Sequence, residues 1–206
     1  MKRILTAAAL LALGLSACGQ GTTNTSVPGL PPLPTGVEVR FPAAPANTYL
    51  SLTTDAGESV YQMPVTAGQT SAAPNPLQWR AASERAVAAE TLVPQGVTAS
   101  LSPSGVKALL LHWVMWQDKN SDGKQGEGEA LDLMTHDRVA YASAALRVTF
   151  QTASPDMTQV WGLREGWSRA EHEVYLPLGS KTYRRSLRSA DVQQYTLHVT
   201  TPLTSQ

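Results

Sequence analysis

The side chains best suited to chemistry in this sequence lie in one short polar run near the middle of the chain. Side-chain oxygens recur at alternate positions, a glycine follows the third of them, and a carboxylate ends the run; these residues are Asp118, Asn120, Asp122, Gly123 and Glu129. The spacing, D-x-N-x-D-G-x5-E, is the ligand pattern of a calcium-binding loop. Alternate residues of a tightly curled loop point inward, so their oxygens can share one hard cation.

Each further position in the run has a physical reason in such a loop. Glu129 is expected to close the site with both carboxylate oxygens, and Glu127 is a candidate for an extra or water-mediated ligand. Gly123 suits the sharp turn after the third ligand because glycine tolerates positive φ. Carboxylates crowded into so short a loop repel one another unless a divalent ion relieves them. A polar, glycine-rich hairpin loop without metal is the alternative. The predicted ligands of a structural Ca²⁺ are Asp118, Asn120, Asp122, Lys124 (through its backbone carbonyl) and Glu129.

The residues before this run predict a strand and not the first helix of a helix–loop–helix calcium site. The run 106–116 is apolar almost without a break and becomes β-branched and aromatic towards its end. Such a run is typical of a strand buried on both faces, or of a central strand in a sandwich. A helix–loop–helix site also usually carries an aliphatic residue two places after the glycine, where this chain has Gln125.

The loop resembles the calcium loop of the B domains in serine-aspartate-repeat surface adhesins, which are calcium-stabilised β-sandwiches of bacterial cell-surface proteins. The resemblance covers only the loop and the strand before it, about residues 113–129, and it implies the calcium ligands named above. The matching positions are Trp116, Asp118, Asn120, Asp122, Gly123, Gln125 and Glu129.

The N-terminus predicts export and lipid attachment. Lys2 and Arg3 form a charged end, and the apolar run 4–15 is too short to span a bilayer stably. The sequence LSAC, ending at Cys18, resembles the lipobox of bacterial lipoproteins, which implies a signal peptide over 1–17 and an acylated Cys18. Because Cys18 is the only cysteine, no disulfide is expected, and several acyl chains on it give lasting membrane anchorage. An ordinary secretory signal with a stray cysteine is the alternative.

Length and composition limit the domain organisation and the partners that the chain can have. The 206 residues suffice for one domain with a good core. Residues 18–36, rich in Gly, Thr and Pro, predict a tether that carries the lipidated cysteine, and 37–206 predict the domain. The balance of 16 basic and 16 acidic residues gives no support for a nucleic-acid partner. Gly19 is not the aspartate that retains some lipoproteins in the inner membrane, so the outer membrane is favoured where one exists.

Short alternating segments separated by glycine and proline predict an all-β fold. The expected architecture is an antiparallel β-sandwich of the immunoglobulin or prealbumin kind, with about eight to ten strands and at most one short helix. Residues 79–92 fit a short helix or a strand, and 183–187 fit a short strand or a turn of helix. The predicted strands are 37–41, 48–52, 59–65, 96–102, 106–116, one strand within 137–150, 158–163, 172–177 and 194–200.

Finer expectations concern pairing and side-chain direction. The segments around Asp55-Ala56-Gly57 are expected to form a hairpin, and the segments on either side of Gly166-Trp167 to form another pair. In the last strand, Tyr195, Leu197 and Val199 are expected to point inward because strand side chains alternate between faces.

No other set of residues predicts an enzyme. The four histidines (His112, His136, His172 and His198) lack metal-ligand spacing, and no HExxH or G-x-S-x-G motif is present. The basic cluster of Lys181, Arg184, Arg185 and Arg188 is either a solvated face or a contact for cell-wall polymers or anionic lipid. Trp161 and Trp167 are either core residues, the commoner role, or rings that stack on sugars.

The sequence therefore predicts a lipid-anchored protein of the bacterial cell envelope, held to the membrane through its N-terminus, with its domain outside the cytoplasm. The calcium-stabilised β-sandwich is expected to be a binding or structural module with a cell-wall or glycan partner, and not an enzyme. A carbohydrate-binding module and an envelope hydrolase are the alternatives.

Overall fold

The computed structural model describes residues 32–200, so the predicted signal peptide, Cys18 and most of the predicted tether lie outside the described residues. Within that range the chain forms fifteen strands and three short 3₁₀ helices, the latter at Pro76–Gln78, Arg80–Arg85 and Ala89–Leu92. The strands are β1 Glu38–Arg40, β2 Thr48–Thr54, β3 Ser59–Val65, β4 Ser71–Ala72, β5 Val87–Ala88, β6 Ala99–Ser102, β7 Lys107–Gln117, β8 Leu133–Met134, β9 Arg138–Ala142, β10 Leu146–Ala153, β11 Asp156–Leu163, β12 Gly166–Tyr175, β13 Tyr183–Ala190, β14 Gln194–Thr196 and β15 His198–Val199.

The strands form one large sheet and two small ones in a sandwich-like arrangement, which confirms the predicted fold class. The large sheet has the order β3-β2-β7-β9-β12-β13-β11-β10-β6, and β5 also pairs with β7. A three-stranded sheet has the order β14-β1-β4, and β15 pairs with β8. Most neighbours are antiparallel, but β11 runs parallel to β13 and β1 runs parallel to β14.

Strand β7 is a central strand of the large sheet, as its apolar sequence predicts: residues 109, 111, 113 and 115 on one face are buried, whereas residues 110, 112 and 114 on the other face are half-buried. Leu111 and Met115 lie on one face, in a core shared with β1, β2 and β14. Ala108 lies on the other face, in a second core that includes Val148 and Trp161 of β10 and β11. Each fully buried large side chain contributes about 1.5–3 kcal/mol relative to an exposed position, so β7 helps to stabilise both cores.

The predicted β2–β3 hairpin is confirmed, and the two ambiguous segments are resolved. β2 and β3 pair antiparallel from Thr48↔Val65 to Thr53↔Ser59, and the register shifts between Leu52 and Thr53. The segment 79–92 holds two 3₁₀ helices with the two-residue strand β5 between them. The segment 183–187 belongs to the eight-residue strand β13.

The prediction of a single strand within 137–150 is wrong. The chain turns between β9 and β10, and the two strands have different neighbours, since β9 pairs with β7 and β12 whereas β10 pairs with β11 and β6. Ser143 fixes this turn against the start of β7: its N–H donates to the Lys107 carbonyl at 2.8 Å, and its hydroxyl accepts from the Lys107 N–H at 2.9 Å. The turn consists of a serine and two alanines, residues 143–145, so no glycine or proline marks it in the sequence.

Two further expectations for the C-terminal half are also wrong. β11 and β12 are not paired, because β13 lies between them, and Gly166 and Trp167 belong to β12 and not to a loop. Tyr195 and Leu197 are buried as expected, but Val199 is 60% exposed. The alternation fails there because the chain leaves β14 for the two-stranded pairing of β15 with β8.

Candidate metal centre

The predicted calcium loop is closed at its base by backbone hydrogen bonds. The Gln117 N–H donates to the Glu129 carbonyl at 2.8 Å, and the Leu131 N–H donates to the Met115 carbonyl at 2.8 Å. The Asp118 N–H donates to the carbonyl of Asn47, just before β2, also at 2.8 Å. Residues 118–129 therefore form a closed loop whose two ends are held together and tied to the edge of β2.

Trp116 holds the base of the loop on the sheet. It is fully buried, its ring stacks on Tyr49 with centroids 4.8 Å apart and an interplanar angle of 15°, and its Nε1–H donates to Ser51 Oγ at 2.8 Å. Tyr49 and Ser51 alternate with Leu50 and Leu52, which lie in the first core. The loop therefore leaves the sheet on the face opposite to that core.

The first half of the loop wraps around the Asp118 carboxylate. Its two oxygens accept the backbone N–H groups of Asp122 at 3.2 Å and Gly123 at 3.0 Å. The Asp122 N–H also donates to Asn120 Oδ1 at 3.0 Å, so oxygens of two predicted ligands lie around one nitrogen. Positive φ values at Ser121 (63°) and Gly123 (72°) curl the backbone, and the glycine stands at the turn where it was expected.

The remaining predicted ligands make similar contacts. Asp122 Oδ1 accepts the Lys124 N–H at 2.8 Å, and its Oδ2 accepts from the Asn120 amide at 3.1 Å. Glu129 accepts the N–H of Lys119 at 3.0 Å and the N–H of Gly126 at 2.7 Å, one with each carboxylate oxygen. Each of these carboxylate oxygens still has a lone pair that the backbone hydrogen bonds do not use. No hydrogen bond among the described residues joins Glu129 directly to the other side-chain ligands.

The two innermost carboxylates have no basic partner among the described residues. Asp118 is 6% exposed and Glu129 is 5% exposed, yet neither forms an ion pair with a basic side chain within residues 32–200. Lys119, the nearest lysine in sequence, donates its ammonium to the Gly128 carbonyl at 2.6 Å instead. Buried charges in proteins are normally paired, hydrogen-bonded or bound to a metal, and here backbone N–H groups are the partners that the described residues supply.

The donor types fit calcium better than a transition metal. The predicted set offers carboxylate, amide and carbonyl oxygens, which are the ligands of hard cations, and neither thiolate nor imidazole. In the part of the chain that the structure describes, no three His, Cys, Asp or Glu side chains form a group that could hold a metal. The predicted calcium ligands also include two groups of other kinds, the Asn120 amide and the Lys124 carbonyl. In this structure the carboxylates of the predicted ligands accept hydrogen bonds from backbone N–H groups.

A groove of about 410 Å³ separates the loop from the sheet, and Thr53 and His112 on its wall make contacts that the sequence did not reveal. His112 Nε2 lies 3.0 Å from Thr53 Oγ1, and His112 Nδ1 lies 3.5 Å from Asp55 Oδ1. Burial and the nearby Arg138 guanidinium lower the pKa of His112, and Asp55 opposes this shift. The order acid–histidine–hydroxyl is that of a hydrolytic triad, but His112 Nδ1 has no hydrogen-bond partner among the described residues, and Thr53 is only 2% exposed.

Two other sequence hypotheses concern surface residues. Trp161 and Trp167 are 9% and 4% exposed, so they are core residues and do not form an exposed platform for sugars. Arg184, Arg185 and Arg188 are exposed on β13, as is Lys181 before it. Among residues 32–200 there is no helix with the length and apolar character required to cross a bilayer.

The loop ligands are separated by one or a few residues, which is why a sequence pattern could identify them. Thr53 and His112 come from strands 59 residues apart and carry no such pattern. No protein-family model matches this chain, and the searches of curated proteins and of solved structures found no significant match.

Proposed function

We propose that this protein is a cell-envelope lipoprotein whose β-sandwich acts as a binding or structural module and is stabilised by one calcium ion in the loop 118–129. The single observation that best supports the calcium part is the pair of buried carboxylates, Asp118 and Glu129, which have no cationic partner among the described residues. The N-terminal sequence supports the lipid anchor, with Cys18 as the attachment point.

The ion would act structurally. Oxygens of Asp118, Asn120, Asp122, Lys124 and Glu129 would hold it, and its charge would offset the repulsion among the loop carboxylates. The ends of the loop are bonded to Asn47 and to each other. Fixing the loop would therefore also fix the groove beside Thr53 and His112, which gives a binding module a defined surface.

Thermal melting with and without calcium tests the proposal. Free calcium at 100 times its Kd should stabilise the fold by about 2.7 kcal/mol. For a domain of this size that corresponds to a rise in Tm of about 5–10 °C. The double variant Asp118→Ala with Asp122→Ala should lose this rise, because it removes two of the predicted ligands.

A matched double variant controls for the loss of negative charge alone. Glu84 and Glu165 are exposed and have no hydrogen bond or ion pair to any residue of the described range. Their replacement by alanine should leave the calcium-dependent rise intact. A wild-type protein whose Tm does not respond to calcium would refute the structural role of the ion.

The lipid anchor has its own test. Cys18→Ser should abolish metabolic labelling with palmitate and should move the protein from the detergent phase to the aqueous phase in a Triton X-114 partition. The expected change is complete, because the chain has no other cysteine to accept the lipid. Unchanged labelling of the Cys18→Ser protein would contradict the assignment.

An envelope hydrolase is the second candidate, and the contact of His112 with Thr53 and Asp55 is the observation that favours it. It ranks second because the Thr53 hydroxyl is buried and also hydrogen-bonds the His112 carbonyl at 3.4 Å. That hydroxyl links β2 to β7, which explains the contact without catalysis.

A further inference from the structure

A second concave site lies on the large sheet, beyond the groove that borders the loop. It is a half-open cavity of about 280 Å³. Part of its wall is apolar and continues the second core, through Leu110, Phe150, Trp161 and Leu187. Phe150 and Trp161 meet edge to face with ring centroids 5.4 Å apart, so this wall is fixed by packing.

The register of the sheet brings polar side chains from four strands to this cavity. Gln159 of β11 is paired with Arg185 of β13 and with Phe150 of β10. Leu187, two residues beyond Arg185, is paired with His172 of β12, and Arg138 of β9 is paired with Ala170, two residues before His172. Paired residues, and residues two apart on one strand, share a face. The polar side chains therefore form a row beside the apolar wall.

Two guanidinium groups on this cavity lack a carboxylate partner. Neither Arg138 nor Arg185 forms an ion pair within residues 32–200. Arg185 Nε–H instead donates to His172 Nε2 at 2.7 Å. Burial, followed by the charge of Arg185, lowers the pKa of His172 to about 4, so this imidazole is neutral at pH 7 and accepts the bond. Among the described residues, Asp55 is the only acidic residue that lines the cavity, and its carboxylate lies 3.5 Å from His112 Nδ1.

A side-chain amide without a partner among the described residues also faces the cavity. Gln159 is 6% exposed, lines the cavity, and its side chain makes no hydrogen bond to any described residue. The amide atoms are not among the fully buried polar atoms that lack a partner, so they reach the open volume of the cavity. The amide is therefore available to hydrogen-bond a molecule in the cavity.

We propose that this cavity binds a small organic carboxylate that has an apolar body. Arg138 and Arg185 would hold the carboxylate, since the planar guanidinium matches it in charge and geometry. The Gln159 amide would donate a further hydrogen bond, and the apolar body would lie against Phe150, Trp161 and Leu187. An apolar pocket with a few convergent polar groups is the usual form of a small-molecule site. This proposal goes beyond the calcium loop and does not depend on it.

Isothermal titration calorimetry with 2-naphthoate tests the proposal. The probe joins a two-ring apolar body to one carboxylate, and we expect it to bind one to one. Arg138→Gln and Arg185→Gln should each weaken binding about tenfold, because each removes a charged hydrogen-bond donor. Arg184→Gln is the matched control: Arg184 is adjacent on the same strand, is exposed, and does not line the cavity. It should leave the affinity unchanged.

Two further ligands separate the charge from the apolar contact. The neutral analogue 2-naphthalenemethanol should bind at least tenfold more weakly than 2-naphthoate, and inorganic phosphate should bind more weakly as well. Equal binding of the neutral analogue would overturn the role of the arginines. Equal binding of phosphate would overturn the role of the apolar wall, and no binding of 2-naphthoate to the wild-type protein would overturn the proposal as a whole.

The titrations are arranged so that a failure of the carboxylate proposal can be told apart from a failure of the calcium proposal. Each titration is run with calcium and with a chelator, below the melting temperature measured for that condition. Failure of 2-naphthoate to bind in both conditions would refute the carboxylate site and leave the calcium proposal standing. Circular dichroism melts of the two arginine variants show whether they are folded, so weakened binding by a folded variant is evidence about the site.

Discussion

Replacing Glu129 with alanine should destabilise the protein substantially, and more in calcium than in chelator. Without calcium, the N–H groups of Lys119 and Gly126 lose their acceptors, which should lower the free energy of unfolding by about 1–3 kcal/mol. With free calcium at 100 times its Kd, the variant should also lose the linkage stabilisation of about 2.7 kcal/mol. Urea unfolding in the two conditions gives both values.

Glu127 provides the matched control for this variant. It is exposed and makes no hydrogen bond or ion pair to any residue in 32–200. Glu127→Ala should change the free energy of unfolding by no more than about 0.5 kcal/mol and should keep most of the calcium response. If Glu129→Ala costs the same with calcium as with chelator, Glu129 caps the loop but does not bind the ion.

Replacing Trp116 with alanine should cost about 3–5 kcal/mol, the usual loss for a fully buried tryptophan. The variant loses the stack on Tyr49 and leaves Ser51 without the indole N–H that now donates to it. Because Trp116 holds the base of the loop, calcium affinity should fall as well. Chemical unfolding with chelator isolates the first effect, and calcium titration of the folded variant measures the second.

Two comparisons separate the contributions of Trp116. Trp116→Phe keeps an aromatic ring against Tyr49 and loses the hydrogen bond to Ser51, so it should cost less than the alanine variant. Leu178 is fully exposed at the β12–β13 turn, so Leu178→Ala should be near neutral. A Trp116→Ala variant as stable as Leu178→Ala would show that the tryptophan does not hold the loop on the sheet.

Features encoded within one segment of the chain were predicted well. The apolar run of β7 indicated a strand buried on both faces or a central strand of a sandwich, and the structure shows a central strand whose side chains contribute to two cores. The turn chemistry of Asp55 to Gly57 indicated the β2–β3 hairpin. Gly123 was expected at a sharp turn, and its φ is positive. In each case the residues that determine the feature are close in sequence.

Features that depend on distant segments were not predictable in the same way. The insertion of β13 between β11 and β12 is a property of the whole sheet, and no residue near Gly166 records it. The exposure of Val199 follows from its pairing with β8, 66 residues earlier. The cluster of Arg138, Gln159 and Arg185 is assembled from three strands, so it appears only once the register is known.

Calorimetric titration of calcium into chelator-stripped protein tests whether the loop 118–129 binds one calcium ion. We expect one ion per chain, with a Kd of about 0.1–1 mM, the range of extracellular calcium modules. The Asp118→Ala, Asp122→Ala double variant should show no such binding. Absence of binding to the wild-type protein at 10 mM calcium (~10 times the upper end of that range), or equal binding by the double variant, would contradict the claim.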